Sequence, residues 1–214
     1  MSLAVKRALS KVENALVELG FEVVPFTFDT DKWTKMRDVM MGLLANGPAK
    51  QILDGFYDES EAITKHMKSA GTHLGAGAPK RTLLDFVNYY LLNNGRKYTL
   101  FNGLRQKSEQ DLDLFLKLRS DLCLQLATEW KEAGLTALIS PCFPTCAFKA
   151  ENASDLCHHI EYCMLQSLTG FPSGTMPVTR VRANEQNYAD MYRDSLMYLL
   201  EKDIHDAADM PIAV

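Results

Sequence analysis

The sequence lacks the features that mark several large classes of protein. It has no block of like charge: 23 Lys and Arg stand against 27 Asp and Glu, for a net charge of −4. A basic surface for nucleic acid is therefore not indicated. The longest stretches without a charged residue, 133–148 and 162–179, each contain two prolines, and neither predicts a membrane span. The amino terminus carries no apolar run behind a basic start, so no secretory signal is predicted.

Cysteine is scarce, with five residues in 214. An odd number in a chain that is too long to need disulfides predicts free thiols and a reducing, intracellular compartment, either the cytoplasm or a membrane surface. Four cysteines fall between positions 142 and 163, beside His158 and His159. Their spacings are wider than those of common structural zinc sites, and prolines interrupt the first pair. We therefore favour buried or half-buried thiols over a zinc site, and we predict neither a metal nor a cofactor.

What the sequence does have is a core-forming composition and alternating periodicities. Apolar residues make up 47% of the chain and charged residues 23%, so a substantial core is expected. Apolar residues from Val5 to Leu19 repeat at helical spacing, Gly20 follows as a stop, and the apolar segment 21–26 then predicts a strand. The same order returns later, with a helix over 108–133 capped by Ser108, then Gly134, then a predicted strand over 135–141.

The other predicted elements complete an α/β pattern. Repeated helix–glycine–strand order predicts a layered α/β fold with a mixed, partly parallel sheet and helices packed on both of its faces. The chain ends inside the apolar segment 211–214, so the sheet is expected to be incomplete in this chain alone. The remaining predictions are helices from Asp31 to Asn46, over 155–168 and over 187–208, and strands over 175–181 and 211–214.

A further helix is predicted between Lys80 and Leu104, and two interpretations of it stay open. Its apolar face, which includes Leu83, Phe86 and Tyr90, suits a helix that packs on the core. Basic residues at its edges also suit a helix that makes peripheral contact with a membrane. Asp85 and two asparagines dilute the amphipathic pattern, which favours the core-facing interpretation.

Three motifs in order resemble the carboxy-terminal half of the amidase signature family, in its fatty acid amide hydrolase branch. They are Leu-Thr-Ala-Leu-Ile-Ser-Pro at 135–141, Phe-Pro-Ser-Gly-Thr-Met-Pro-Val-Thr at 171–179 and Pro-Ile-Ala-Val at 211–214. The resemblance covers nearly the whole chain, most specifically over 135–181 and most weakly over 54–107, which corresponds to a divergent cap-like region. It implies a partial amidase-signature fold, with residues 1–214 as a single incomplete domain.

The family cleaves amides with a Ser nucleophile, a second Ser and a neutral Lys, all within an upstream Gly/Ser-rich signature. This sequence holds no such string, and its Ser173-Gly174 dipeptide matches a structural turn of the family instead. The resemblance therefore supplies no catalytic residue. His159 and Cys163, four positions apart, could contact each other on a helix, but a catalytic cysteine also needs an oxyanion site, and none is indicated beside it.

What the resemblance does imply is a wall of an acyl-chain channel. The expected wall residues are Phe171, Met176 and Val178, with Leu83, Phe86 and Tyr90 as a degenerate cap. Apolar side chains of this kind are also what a protein core needs, so ordinary core packing is the competing interpretation of each one.

Two functions follow as hypotheses. In the first, the chain is a fragment or split half of a fatty-acid-amide-hydrolase-like serine amidase, and another polypeptide supplies the catalytic residues. In the second, it is a catalytically dead, amidase-derived subunit that has a structural or interaction role in a larger assembly. A simple lipid-binding module is a third. Both leading hypotheses expect a protein partner that covers exposed sheet edges, and a lipid or an acyl amide is the expected ligand.

Overall fold

The computed structural model describes residues 1–27, 29–46, 87, 108–188, 190 and 192–214, with residues 154, 157, 158 and 160 described by their backbone only. The chain divides into two compact units. The first comprises Met1–Asp29 and Gly134–Val214, and the second is Thr30–Ala133. The predicted helix between Lys80 and Leu104 lies outside the described residues. That residues 1–214 form one incomplete domain stays a prediction.

The described elements are mostly helical, with 3₁₀ helices at Ala150–Asn152, Cys157–Cys163 and Ala183–Glu185. In chain order the α-helices and strands are α1 (Leu3–Glu18), α2 (Thr30–Asn46), α3 (Glu109–Glu132), α4 (Ala153–Leu156), α5 (Met164–Thr169), β1 (Pro177–Arg180), α6 (Ser195–Ile204) and β2 (Pro211–Ala213).

The first unit is built around one small sheet. Strands β1 and β2 pair antiparallel, with Pro177 opposite Ala213 and Arg180 opposite Pro211, and an irregularity in the register lies between Pro177 and Thr179. Helix α1 contacts both strands. The core beneath them is formed by Ala4, Val5, Ala8, Cys146, Leu156, Val181, Tyr188, Leu196, Met197, Leu200, Ile204, Ala207 and Ile212.

The sheet is smaller than the sequence pattern predicts. Strands β1 and β2 confirm the predictions over 175–181 and 211–214, but the segments 21–26 and 135–141 form no strand. Because these two segments would have supplied the parallel pairs, the sheet of the described residues is two-stranded and antiparallel. The described part of the chain is thus α/β only in the coarse sense of mixed helix and sheet.

The structure confirms three helices that are predicted from apolar spacing, a capping residue or a terminal glycine. Helices α1, α2 and α3 confirm the predictions, and Gly20 and Gly134, with φ of +87° and +65°, end α1 and α3 in the left-handed conformation that glycine favours. The helix predicted over 187–208 begins only at Ser195. Asp194 caps it, with its carboxylate accepting from the Met197 backbone N–H at 2.9 Å, and Arg193 has a φ of +46°, which a helix does not allow.

The second unit brings α2 and α3 together. Met36 and Val39 of α2 and Leu122 and Leu126 of α3 are buried, and α2 contacts α3. Lys32 of α2 donates to the Glu129 carboxylate of α3, which links the polar edges of the two helices. Within the described residues, no helix has both the length and the apolar character required to cross a bilayer.

Ser108 starts α3 with a capping box. Its Oγ accepts from the Asp111 backbone N–H at 3.1 Å, and its own N–H donates to the Asp111 carboxylate at 3.4 Å. We expect Ser108→Ala to destabilise the second unit by about 1 kcal/mol, because the Asp111 backbone N–H loses its acceptor and the Asp111 carboxylate loses the Ser108 hydroxyl. Urea unfolding followed by the fluorescence of Trp33 and Trp130 measures this loss. Ser108→Asp, which keeps an acceptor, should recover most of it, and an equal loss in both variants would contradict the capping role.

Candidate functional site

The predicted channel residues that the structure describes lie in three different environments. Val178, on β1, is half-buried and packs against the core of the first unit. Phe171 is half-buried and follows Gly170, which ends α5. Met176 is 56% exposed, and its backbone pairs with Val214 just beyond the sheet. Leu83, Phe86 and Tyr90 lie outside the described residues. In the described chain, therefore, Met176 faces solvent and does not line an enclosed cavity.

Several apolar side chains are exposed at the end of α1 and in the segment that follows it. The periodicity of α1 predicts a core-facing stripe along its whole length, but only its first two turns are buried, at Ala4, Val5 and Ala8. Further along, Leu19 is 74% exposed and Phe21 is 60% exposed, and Val23 and Val24 are exposed as well. We call Leu19, Phe21, Val23 and Val24 the N-terminal apolar surface.

The second predicted strand that does not form is also apolar and partly exposed. Leu135 and Leu138 are half-buried, whereas Ile139 and, shortly after it, Phe143 are exposed. A strand needs a neighbour for its backbone donors and acceptors. Neither predicted strand is part of a sheet in this structure, although both have the composition of strands that are buried on two sides.

The guanidinium group of Arg7 joins α1 to β1 and to the 3₁₀ helix at Ala183–Glu185. Arg7 binds the Glu185 carboxylate with both arms of its guanidinium group, Nε to Oε1 at 2.6 Å and Nη2 to Oε2 at 2.7 Å. The same guanidinium donates from Nη1 to Thr179 Oγ1 at 2.6 Å and from Nη2 to the Arg180 carbonyl at 2.7 Å. Such bidentate pairs combine charge with fixed geometry. The pair therefore holds α1, which precedes the N-terminal apolar surface, in one position on the first unit.

The electrostatics of this pair favour the charged state of both groups. The Glu185 side chain is 9% exposed and the Arg7 side chain is 17% exposed. The hydrogen bonds from Arg7, aided by the Arg182 backbone N–H at 3.0 Å, lower the pKa of Glu185 from 4.5 to about 2. The carboxylate in turn raises the pKa of Arg7. The pair therefore stays ionised throughout the neutral range.

The geometry around Cys163 differs from the His–Cys contact that a regular helix would give. Residues Cys157–Cys163 form a 3₁₀ helix, in which positions three apart share a face and positions four apart do not. His159 is buried, and its ring packs on Phe148 with 5.3 Å between centroids. The Cys163 thiol donates to the Cys142 carbonyl at 3.4 Å. Burial raises the pKa of Cys163, which disfavours the thiolate that a nucleophile needs.

The cysteines do not form a metal centre in the part of the chain that the structure describes. No group of three His, Cys, Asp or Glu side chains there is arranged to hold a metal ion. Cys123, Cys142, Cys146 and Cys163 are free thiols. Cys146 is buried in the core, and burial raises its pKa.

A shallow depression of about 380 Å³ lies at the end of α6. Its lining mixes both charge signs, and Asp206 accepts from Lys149 at 3.4 Å and contacts the His205 ring at 3.1 Å. Such a depression offers neither the apolar walls nor the enclosure that an acyl chain needs. The lining residues are Lys149, Tyr198, Glu201, Lys202, His205 and Asp206.

Two contacts of the first unit have no local signal in the sequence. Arg7 and Glu185 are 178 positions apart. The buried Asp203 accepts from the Lys149 backbone N–H and the Asn152 side chain, more than 50 positions earlier. The sequence shows only that these side chains are charged, and charged side chains are seldom buried without a partner.

Comparison with protein-family models gives no match for this chain, and no curated protein matches it either. The resemblance to the amidase signature family therefore rests on the sequence motifs.

Proposed function

We propose that this chain is a fragment or split half of a fatty-acid-amide-hydrolase-like serine amidase. It supplies scaffold and acyl-channel walls, and the Ser-Ser-Lys site lies elsewhere, in a second polypeptide or in further sequence of a longer one. The motif at 171–179 supports the family. The lack of a Gly/Ser-rich string in this sequence supports a catalytic site that lies outside these 214 residues.

The observation that carries the proposal is the N-terminal apolar surface. Helix periodicity assigns Leu19 to a core face, and strand composition assigns Phe21 and Val24 to the inside of a sheet, yet all three are exposed. A missing half that placed a strand beside 21–26 would cover these side chains. Exposed apolar surface of this kind is typical of an interface and not of the surface of a complete domain.

The channel residues fit the same proposal. Val178 is anchored on β1, and Met176 stands in solvent directly before that strand. A second half that closed over Met176 would convert an exposed thioether into part of an apolar wall. A long acyl chain requires such a wall, so a long-chain acyl amide is the substrate class.

The first experiment isolates the native protein that contains this sequence and determines its intact mass and its co-purifying chains. We expect either a longer polypeptide or a partner that carries a Gly/Ser-rich signature. The isolated material should hydrolyse a long-chain acyl amide, and a fluorophosphonate probe should label a serine outside the 214 residues. Hydrolysis by the purified 214-residue chain alone would contradict the proposal. An assembly without the signature and without activity would favour the dead-subunit function instead.

A pair of matched variants tests the interface directly. Val24→Asp places a charge on the N-terminal apolar surface, and we expect it to weaken association with the other half about tenfold or more, because a charge is buried without a partner. Leu124→Asp makes the same change at an exposed position of α3 in the second unit, and should leave association unchanged. The dissociation constant of each variant is measured by pull-down titration. Equal affinities would contradict the assignment of this surface.

A further inference from the structure

Two half-buried thiols lie next to each other in the first unit. The Sγ atom of Cys163 is 3.4 Å from the carbonyl oxygen of Cys142, and the Sγ atom of Cys142 is 3.7 Å from Thr175 Oγ1. The carbonyl oxygen of a residue is only four covalent bonds from its own sulfur. The Cys163 thiol therefore lies against the residue with which it would form the disulfide.

The surroundings of the two thiols suit them to different steps of disulfide formation. Cys142 and Cys163 are both half-buried, whereas Cys146 is buried in the core, so a small oxidant reaches the pair more easily than it reaches Cys146. Burial raises the pKa of Cys163, and the neighbouring Cys142 thiol adds to that effect. A raised pKa slows a thiol in both steps, so we assign Cys163 to the second step, in which its contact with Cys142 compensates.

We propose that Cys142 and Cys163 are a peroxide-sensitive dithiol that closes reversibly to a disulfide. In the first step, the Cys142 sulfur attacks the O–O bond of a peroxide, which gives a sulfenic acid and one water. In the second step, the Cys163 sulfur attacks the Cys142 sulfur, the S–S bond forms, the S–O bond breaks and a second water leaves. The two thiols lose two electrons, and hydrogen peroxide is reduced to two waters. A dithiol reductant reverses the reaction.

Closure would change the first unit in a defined way. The disulfide would join the segment after the second predicted strand to the 3₁₀ helix before α5, and it would replace the contact between Cys142 and Thr175. The two cysteines are 21 positions apart. A loop of this length gives an expected rise in the melting temperature of about 5–10 °C. The inference does not depend on the proposed amidase function, because it uses only thiols of this chain.

The test combines hydrogen peroxide treatment with peptide mapping. The treated protein is alkylated without reduction and digested with trypsin, which places Cys142 and Cys146 on peptide 132–149 and Cys157 and Cys163 on peptide 150–180. We expect one cross-linked pair of these peptides, which tandem fragmentation assigns to Cys142 and Cys163, together with the rise in melting temperature. Dithiothreitol should abolish both effects.

Single serine variants separate the pair from general oxidation. Cys142→Ser and Cys163→Ser should each abolish the cross-link and the temperature shift. Cys123→Ser, which removes a half-buried thiol of α3 in the second unit, should leave both unchanged. If either variant of the pair fails to fold, the assigned cross-link in the wild-type protein decides the question. A dominant cross-link to Cys146 or Cys157 would overturn the proposal, as would five alkylated thiols and an unchanged melting temperature after peroxide treatment.

Discussion

Arg7→Ala is expected to destabilise the first unit by about 3 kcal/mol, because it leaves the Glu185 carboxylate buried without its cation. The substitution removes both arms of the bidentate contact and also the hydrogen bonds to Thr179 and the Arg180 carbonyl. These contacts hold α1 against β1 and against the 3₁₀ helix at Ala183–Glu185, and Glu185 is 178 positions from Arg7, so no neighbour in the chain replaces them. Arg7→Lys keeps the charge but loses the planar fork, and should recover only part of the stability.

Native-state hydrogen exchange of α1 and β1 peptides, read by mass spectrometry, measures this loss in the unit where it arises. Lys6→Ala is the matched control, since Lys6 is the exposed neighbour of Arg7 on the same helix. We expect the control to change the exchange free energy by less than about 0.5 kcal/mol. A loss below about 1 kcal/mol for Arg7→Ala would mean that the pair contributes no more than a surface salt bridge does.

The same pair predicts the acid sensitivity of the unit. The pKa of Glu185 is lowered from 4.5 to about 2 in the folded chain, so its stabilising effect is complete above about pH 5 and is lost as the pH falls from there toward 2. This difference in pKa corresponds to about 3 kcal/mol. Arg7→Ala should therefore show a weaker pH dependence than wild type over this interval, and parallel pH profiles would contradict the coupling.

The sequence predicted those elements whose signals are local. The apolar spacing that predicts α1 as a helix, the Ser108 cap of α3 and the glycines after both helices each act within a few residues, and the structure confirms the helix, the cap and the glycine ends. Whether a segment pairs with a neighbouring strand depends on residues far away in the sequence, so local composition does not predict it. The segments 21–26 and 135–141 have strand composition, but neither forms a strand in the structure.

The site was less predictable, for two physical reasons. Long-range pairs such as Arg7 with Glu185 depend on how the elements pack, which no spacing reveals. The region around Cys163 depends on a choice between 3₁₀ and α geometry that the periodicity does not resolve. That choice separated His159 from Cys163 on the helix surface and placed the Cys163 thiol against Cys142 instead.

A second large loss of stability is expected from Asp203→Ala, near the end of α6. Asp203 is buried, and both of its carboxylate oxygens lie 3.2 Å from the Lys149 backbone nitrogen, while the Asn152 side chain donates to it at 2.6 Å. Removal of the carboxylate leaves two partly buried donors without an acceptor. Each such donor costs about 1–3 kcal/mol, so we expect a loss of about 3 kcal/mol.

Asp206 supplies the control that separates this effect from a general loss of negative charge. It lies three residues after Asp203, but its side chain is exposed and its contacts are to Lys149 Nζ and the His205 ring on the surface. Asp206→Ala should therefore leave the hydrogen exchange of peptides from 149–156 unchanged, because a solvated carboxylate leaves no buried donor behind. Asp203→Ala should raise the exchange of the same peptides by two orders of magnitude or more, about 3 kcal/mol expressed as a ratio of rates. Equal exchange in the two variants would mean that Asp203 contributes through net charge alone and not as the buried acceptor that joins α6 to the 3₁₀ helix at Ala150–Asn152.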